Sequence, residues 1–139
     1  MNAESHPWCA RFTSVPQSVG RARRAVRAVL LAHGVAPDTA DTVVLVVSEL
    51  AANAARHGHV PGRLFEVRID LGEEGEDKEI TVEVSDAGDA RPALQGPTAN
   101  AESGRGLLLV AALATAWGVR DRQIGKTQIG KTVWARVGR

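Results

Sequence analysis

The chain is 139 residues long, 44% apolar and 24% charged, which excludes a disordered polymer and leaves room for one ordinary globular domain but not two. Lysine and arginine number 17 against 16 aspartate and glutamate, a net charge of +1 that excludes a whole-chain electrostatic pull toward nucleic acid or an anionic membrane. The single cysteine, Cys9, excludes an internal disulfide and a cysteine-built zinc cage, and a domain of this size needs neither.

The longest apolar run, Leu107 to Ala114, falls far short of a membrane span. Met1 to Pro7 has neither a basic cluster nor an apolar stretch, so no secretory signal is expected and the chain is read as cytoplasmic. Trp8 to Thr13 alternates loosely and reads as a short strand. After a turn at Ser14-Val15-Pro16, the apolar positions Val19, Ala22, Val26, Val29 and Leu30 recur at helical spacing. They predict a helix from Gln17 to His33 with Gly34 at its C-terminal cap. Arg21, Arg23, Arg24 and Arg27 fill much of the other side, either as a solvated face or as a docking surface for an acidic partner. A second helix opens at Ala36-Pro37-Asp38-Thr39, with Asp38 or Thr39 as N-cap. Thr42 to Val47 is rich enough in β-branched residues to suggest a strand. The apolar pattern continues through Leu50, Ala51, Ala54 and Ala55, however, and favours one long helix closed by Gly58.

Arg63 to Leu71 and Glu79 to Asp86 alternate strictly around a charged, glycine-containing loop and predict an antiparallel hairpin with one wet face. An irregular segment from Ala87 to Ser103 follows, punctuated by Gly88, Pro92, Gly96 and Pro97; loops of that length are usually functional or disordered. A third helix is expected from about Gly106 to Ala116, then closing strands over Trp117 to Arg122 and Thr132 to Val137. Sequential strands form hairpins and no regular βαβ alternation occurs. The prediction is an α+β fold, a two-layer α/β sandwich with a mainly antiparallel sheet and helices on one face. No domain boundary interrupts it, so residues 1–139 read as a single domain.

Three constellations can carry chemistry. In Ser48-Glu49-Leu50-Ala51-Ala52-Asn53-Ala54-Ala55-Arg56-His57-Gly58, the residues Glu49, Asn53 and His57 are four apart and share one helix face. A glutamate there can accept a proton, and an asparagine carbonyl is a neutral ligand suited to Mg²⁺ that already carries waters and phosphate oxygens. The plain alternative is the solvated edge of an amphipathic helix. Asp86-Ala87-Gly88 ends a strand; the carboxylate can receive the amino group of a base while Gly88 lets the backbone approach, and the plain alternative is a strand-to-loop turn. Gly104-Arg105-Gly106-Leu107 precedes an apolar helix, where free N–H groups and the Arg105 guanidinium suit a phosphate; the alternative is glycine as punctuation.

Gly125-Lys126-Thr127-Gln128-Ile129-Gly130-Lys131-Thr132 matches the Walker A pattern letter for letter, but it arises from two neighbouring copies of Ile-Gly-Lys-Thr. Only seven residues follow Thr132, and they alternate like a terminal strand, so a β-turn with flanking lysines is the better reading. Trp8, Trp117 and Trp134 read as core or partly buried anchors, not as a base-stacking platform.

The first three constellations, in that order and closed by Gly130-Lys131-Thr132-Val133-Trp134, resemble the GHKL ATPase superfamily, the Bergerat fold of gyrase, histidine kinases and related chaperones. Within it the chain looks most like the anti-sigma-factor serine kinases and their short single-domain relatives in actinobacteria-type regulatory systems. The resemblance runs from about Phe12 to Val137. It implies ATP and Mg²⁺ as cofactors, with Asn53 as the Mg²⁺ ligand and Glu49 as the catalytic carboxylate one turn earlier. It implies Asp86 on the adenine amino group with Gly88 beside it, Gly104, Arg105, Gly106 and Leu107 against the phosphates, and His57 at the end of the same box. Thr132 would match the threonine near the adenine, and residues 89–103 would form the ATP lid. Asp89-Ala90 stands where many relatives have a further glycine, and nothing resembles a phospho-accepting histidine helix.

The activity so implied is a protein serine/threonine kinase that phosphorylates an anti-anti-sigma partner and holds a sigma factor in check, with a homodimer left open and no nucleic acid or membrane contacted directly. The rival reading is a non-catalytic, nucleotide-regulated module that sequesters a partner. A P-loop hydrolase, the third reading, requires that Lys131→Ala destroy nucleotide binding while Asn53→Ala does not.

Overall fold

The computed structural model describes residues 7–57, 63–72, 78–88 and 101–139, with the side chains of residues 57 and 101–106 outside that description. Among the described residues, five strands and three helices follow in the order β1 (Trp8–Thr13), α1 (Gln17–Ala32), α2 (Pro37–His57), β2 (Leu64–Asp70), β3 (Glu79–Asp86), α3 (Ala101–Leu113), β4 (Ala116–Ile124) and β5 (Thr127–Gly138). The strands form one sheet, ordered β1-β2-β3-β5-β4, and every neighbouring pair is antiparallel. This is the expected α+β sandwich.

The two-residue period of a strand sorts the side chains between the faces of the sheet. Phe65, Val67 and Ile69 on β2, Ile80, Val82 and Val84 on β3, and Val133, Ala135 and Val137 on β5 are buried in one core with the helices. Glu66, Glu83 and Arg136 alternate with them on the outer face. The β-branched run of α2 does form helix: Val43, Val46, Val47, Leu50, Ala51 and Ala54 recur at helical spacing and are buried. Burial of that stripe outweighs the modest χ1 penalty of its valines. α2 is the hub of the layer and packs on α1, α3, β2, β3 and β5. Arg21, Arg23, Arg24 and Arg27 are exposed, and Arg27 pairs with Asp41 of α2 at 2.7 Å.

α1 stops in the manner expected of Gly34. That residue takes φ +77°, its N–H donates to Leu31 O at 3.1 Å, and the Val35 N–H donates to Leu30 O at 3.0 Å, the paired bonds of a Schellman cap. α2 starts earlier than the caps Asp38 and Thr39 require, which would open it at Thr39 or Ala40: Pro37 occupies its first turn, where a missing N–H costs nothing, and Asp38 lies within that turn. The Gly58 cap lies outside the described residues.

Two other expectations are corrected. α3 begins at Ala101, not near Gly106, so Gly104 and Gly106 lie within its first two turns. The helix formers Ala101 and Glu102 extend it backward, and a helix interior tolerates glycine at a cost of only about 1 kcal/mol. α3 also ends at Leu113, because the Thr115 N–H turns to Arg136 O of β5 at 2.8 Å and delivers the chain to the sheet. The Walker-like stretch is a hairpin: Gly125, at φ +60°, and Lys126 make the turn between β4 and β5, and no helix follows it. Among the described residues no helix is long and apolar enough to cross a membrane.

Candidate functional site

α2 places Glu49 and Asn53 one helical turn apart. Glu49 is half-buried. Asn53 is only 7% exposed, and its Nδ2 has no hydrogen-bond partner among the described residues. A buried amide left unpaired costs on the order of 1–3 kcal/mol, so such a group calls for a reason. An amide can turn over and offer either N–H or C=O to the same place. The unpartnered end of Asn53 can therefore donate to a phosphate oxygen or present the single neutral oxygen that Mg²⁺ takes alongside waters and phosphates. The residue fits the magnesium–triphosphate group that its position implies.

Asp86, the last residue of β3, follows Ile80, Val82 and Val84 on the inner face and is 2% exposed. Its Oδ1 accepts the Gly88 N–H at 2.8 Å, so the strand-to-loop turn read in Asp-x-Gly is made. The same oxygen accepts Lys131 Nζ at 3.0 Å, and both side chains of this pair are only 3% exposed. Lys131 comes from β5, where Val133, Ala135 and Val137 set the inward period and Lys131 continues it. Beside the pair, the backbone of β5 runs unusually close to β3. Gly130 takes φ +153°, and a Cβ there would lie 2.0 Å from Asp86 O.

Thr132 belongs elsewhere. It is paired in register with Ser85, one residue off the inward period, and the two hydroxyls bond at 2.7 Å on the outer face. The side chain beside Asp86 is that of Lys131, which the β-turn reading takes only as a lysine flanking the turn. The period of the strand itself carried the signal, since a lysine two residues before Val133 must point inward and needs a counter-charge.

Leu107 is 1% exposed and lies one turn before Val110 of the main apolar cluster. Gly104, Arg105 and Gly106 have their backbone in the first turns of α3, and the side chain of Arg105 lies outside the described residues. The His57 side chain and most of the proposed lid, residues 89–100, also lie outside them. α3 and α2 pack together, and α2 packs on β3 and β5. Asn53, Leu107 and the Asp86–Lys131 pair are thus each buried, on α2, on α3 and on the strands β3 and β5 against which α2 packs. A separate pocket of about 300 Å³, lined by Arg11, Arg63, Glu66, Ser85 and Arg122 among others, involves outer-face positions.

The chain matches the family model of the histidine kinase-like ATPase domain over residues 12–137, a span that contains every candidate site residue. No curated protein is similar enough to the chain to count as a match. Among solved structures it is similar to the histidine kinase domain of the blue-light activated histidine kinase from Erythrobacter litoralis EL346. The identity is 19% and the TM-score 0.51, over 88% of this chain and 60% of that one. At that identity the likeness is one of fold, and this chain spans about 60% of its neighbour's length. With nearly the whole chain matched, and with the two-layer sandwich and a buried polar site between its layers, the chain belongs to the histidine kinase-like ATPase family, the ATP-binding GHKL domains of the Bergerat fold.

Proposed function

We propose that the chain is a Mg·ATP-dependent protein serine/threonine kinase that modifies an anti-anti-sigma-type partner and restrains a sigma factor. The observation that supports this most is the unpartnered amide of Asn53, buried one turn after Glu49. In this reading Asn53 holds Mg²⁺, Asp86 receives the amino group of the adenine with Gly88 fixing the carboxylate, and Gly104, Arg105, Gly106 and Leu107 border the phosphates. His57 closes the same helix face, and residues 89–103 form the lid. Bound Mg²⁺ supplies charge neutralisation on the phosphates.

The chemistry asked of the chain is modest, because phosphoryl transfer rests on positioning and charge stabilisation. Glu49 takes the proton of the incoming serine or threonine hydroxyl as its oxygen bonds to the γ-phosphorus. The bond from that phosphorus to the bridging oxygen breaks, and ADP leaves with the electron pair. A general base of this kind contributes about 10²–10⁴-fold.

The test is to recover binding partners from the native cell, incubate them with the purified chain and Mg·ATP, and weigh them. A partner should gain one phosphate. Glu49→Ala should keep ATP affinity and lower transfer by about 10²–10⁴-fold, whereas Asn53→Ala should weaken Mg·ATP binding itself. A wild-type chain that binds ATP and labels none of its partners is instead a nucleotide-regulated binding module.

A further inference from the structure

We propose that Lys131 competes with the nucleobase for Asp86, pairing with it in the empty site and passing to Asp121 when a base amino group takes the carboxylate. The inference rests on the reading of Asp86 as the base-binding residue. Three inward-row positions lie side by side across the sheet. Lys131 on β5 is the register partner of Asp86 on β3 to one side and of Asp121 on β4 to the other. Directly opposed residues on antiparallel strands are near enough for their side chains to interact. One lysine therefore has two carboxylates within reach, one buried and one exposed.

Asp86 is the fixed member of the pair. Its Oδ1 already accepts the Gly88 N–H at 2.8 Å and Lys131 Nζ at 3.0 Å, which fills both lone pairs of that oxygen. An arriving amino group is left Oδ2, on a carboxylate whose charge is already offset by an ammonium enclosed in the same place. The lysine is the member able to leave, since its charge rides on a flexible four-carbon stem. Asp121 accepts a bond from Gln128 Nε2 at 3.4 Å and is exposed, so an ammonium that joins it regains water. That hydration offsets the loss of the buried pair and leaves no charge stranded. A lysine placed to attract phosphates would act with the opposite sign and would respond to ATP, not to the base alone.

The experiment titrates the chain with Mg·ATP and separately with adenosine. It compares wild type, Lys131→Met, Asp121→Asn, the double variant and Asp86→Asn. Competition predicts that Lys131→Met binds adenosine on the order of tenfold more tightly. Asp121→Asn should bind both ligands several-fold more weakly, and this loss should vanish in the Lys131→Met background. The Lys131 side-chain nitrogen resonance should shift when adenosine is added, and Asp121→Asn should suppress the shift. Lys131→Met that leaves adenosine affinity unchanged or lower, or an Asp121→Asn effect that is the same in both backgrounds, overturns the proposal. If Lys131→Met does not fold, Asp121→Asn and the resonance decide it, because Asp121 is exposed. Asp86→Asn separates the two readings. If it binds adenosine as well as wild type, the base-binding role of Asp86 fails and the competition with it. If it abolishes binding while Lys131→Met changes nothing, only the competition fails.

Discussion

Taking a carboxylate and an ammonium out of water together is expensive, and the Asp86–Lys131 pair recovers that cost through a 3.0 Å contact and the Gly88 N–H. Such a pair is weak evidence for stability, because apolar residues of similar size often do as well. Its members nonetheless depend on each other. Asp86→Ala leaves an ammonium buried at 3% side-chain exposure with its partner gone, and it should cost about 3–5 kcal/mol in urea denaturation. The double variant Asp86→Ala/Lys131→Met removes both charges and should regain most of that loss. Additive costs in the double variant would mean that the two groups do not form a pair in solution. Asn53 follows the opposite rule. Among the described residues its buried Nδ2 has no partner, so the amide is a cost to the folded chain that a bound ligand would offset.

At the scale of the element, β5 is pinned against β3 where Gly130 meets Asp86. Gly130→Ala would place a methyl group 2.0 Å from a backbone oxygen, in a φ region that side chains rarely adopt. The two strands must separate there, and the cost should be at least about 2 kcal/mol in equilibrium unfolding. Gly125 is the control: its φ is also positive, at +60°, but nothing lies within 4 Å of an added Cβ, so Gly125→Ala should cost only about 1 kcal/mol. Equal costs at the two positions would remove the close approach as the cause. The same strand shows what a sequence can and cannot reveal. β1 and β3 are bounded as their alternation predicts, and β2 to within a residue, because β2 and β3 bury one face and β1 half-buries one, and that burial writes a period of two. The outer half of the last hairpin, from Gln123 to Ile129, is exposed throughout, so it carries no alternation and is held by backbone pairing such as Gln123↔Gln128. The start of α3 was hidden by Gly104 and Gly106, which a propensity argument treats as stops. In the candidate site, the resemblance implied Thr132 near the adenine, whereas the period of β5 puts Lys131, not Thr132, beside Asp86.

At the scale of the whole molecule, the candidate site lies where α2 meets the sheet and α3, so a ligand held there ties both layers together. Binding to the native state alone stabilises it by about 2.7 kcal/mol at a free concentration of 100 times the dissociation constant. For a domain between the small and medium size classes each kcal/mol is worth roughly 3–5 °C, so saturating Mg·ATP should raise the melting temperature by roughly 10 °C. Chelating the metal should abolish most of that rise, since a triphosphate without its cation meets the site with its charge uncompensated. Asn53→Ala separates the site from the fold. Among the described residues the amide it removes makes no bond through Nδ2, so the ligand-free variant should melt close to the wild type, while the shift with Mg·ATP should collapse. A ligand-free melting point lowered as far as a core deletion lowers it would make Asn53 a packing residue, and a shift retained in full would take it out of the nucleotide site.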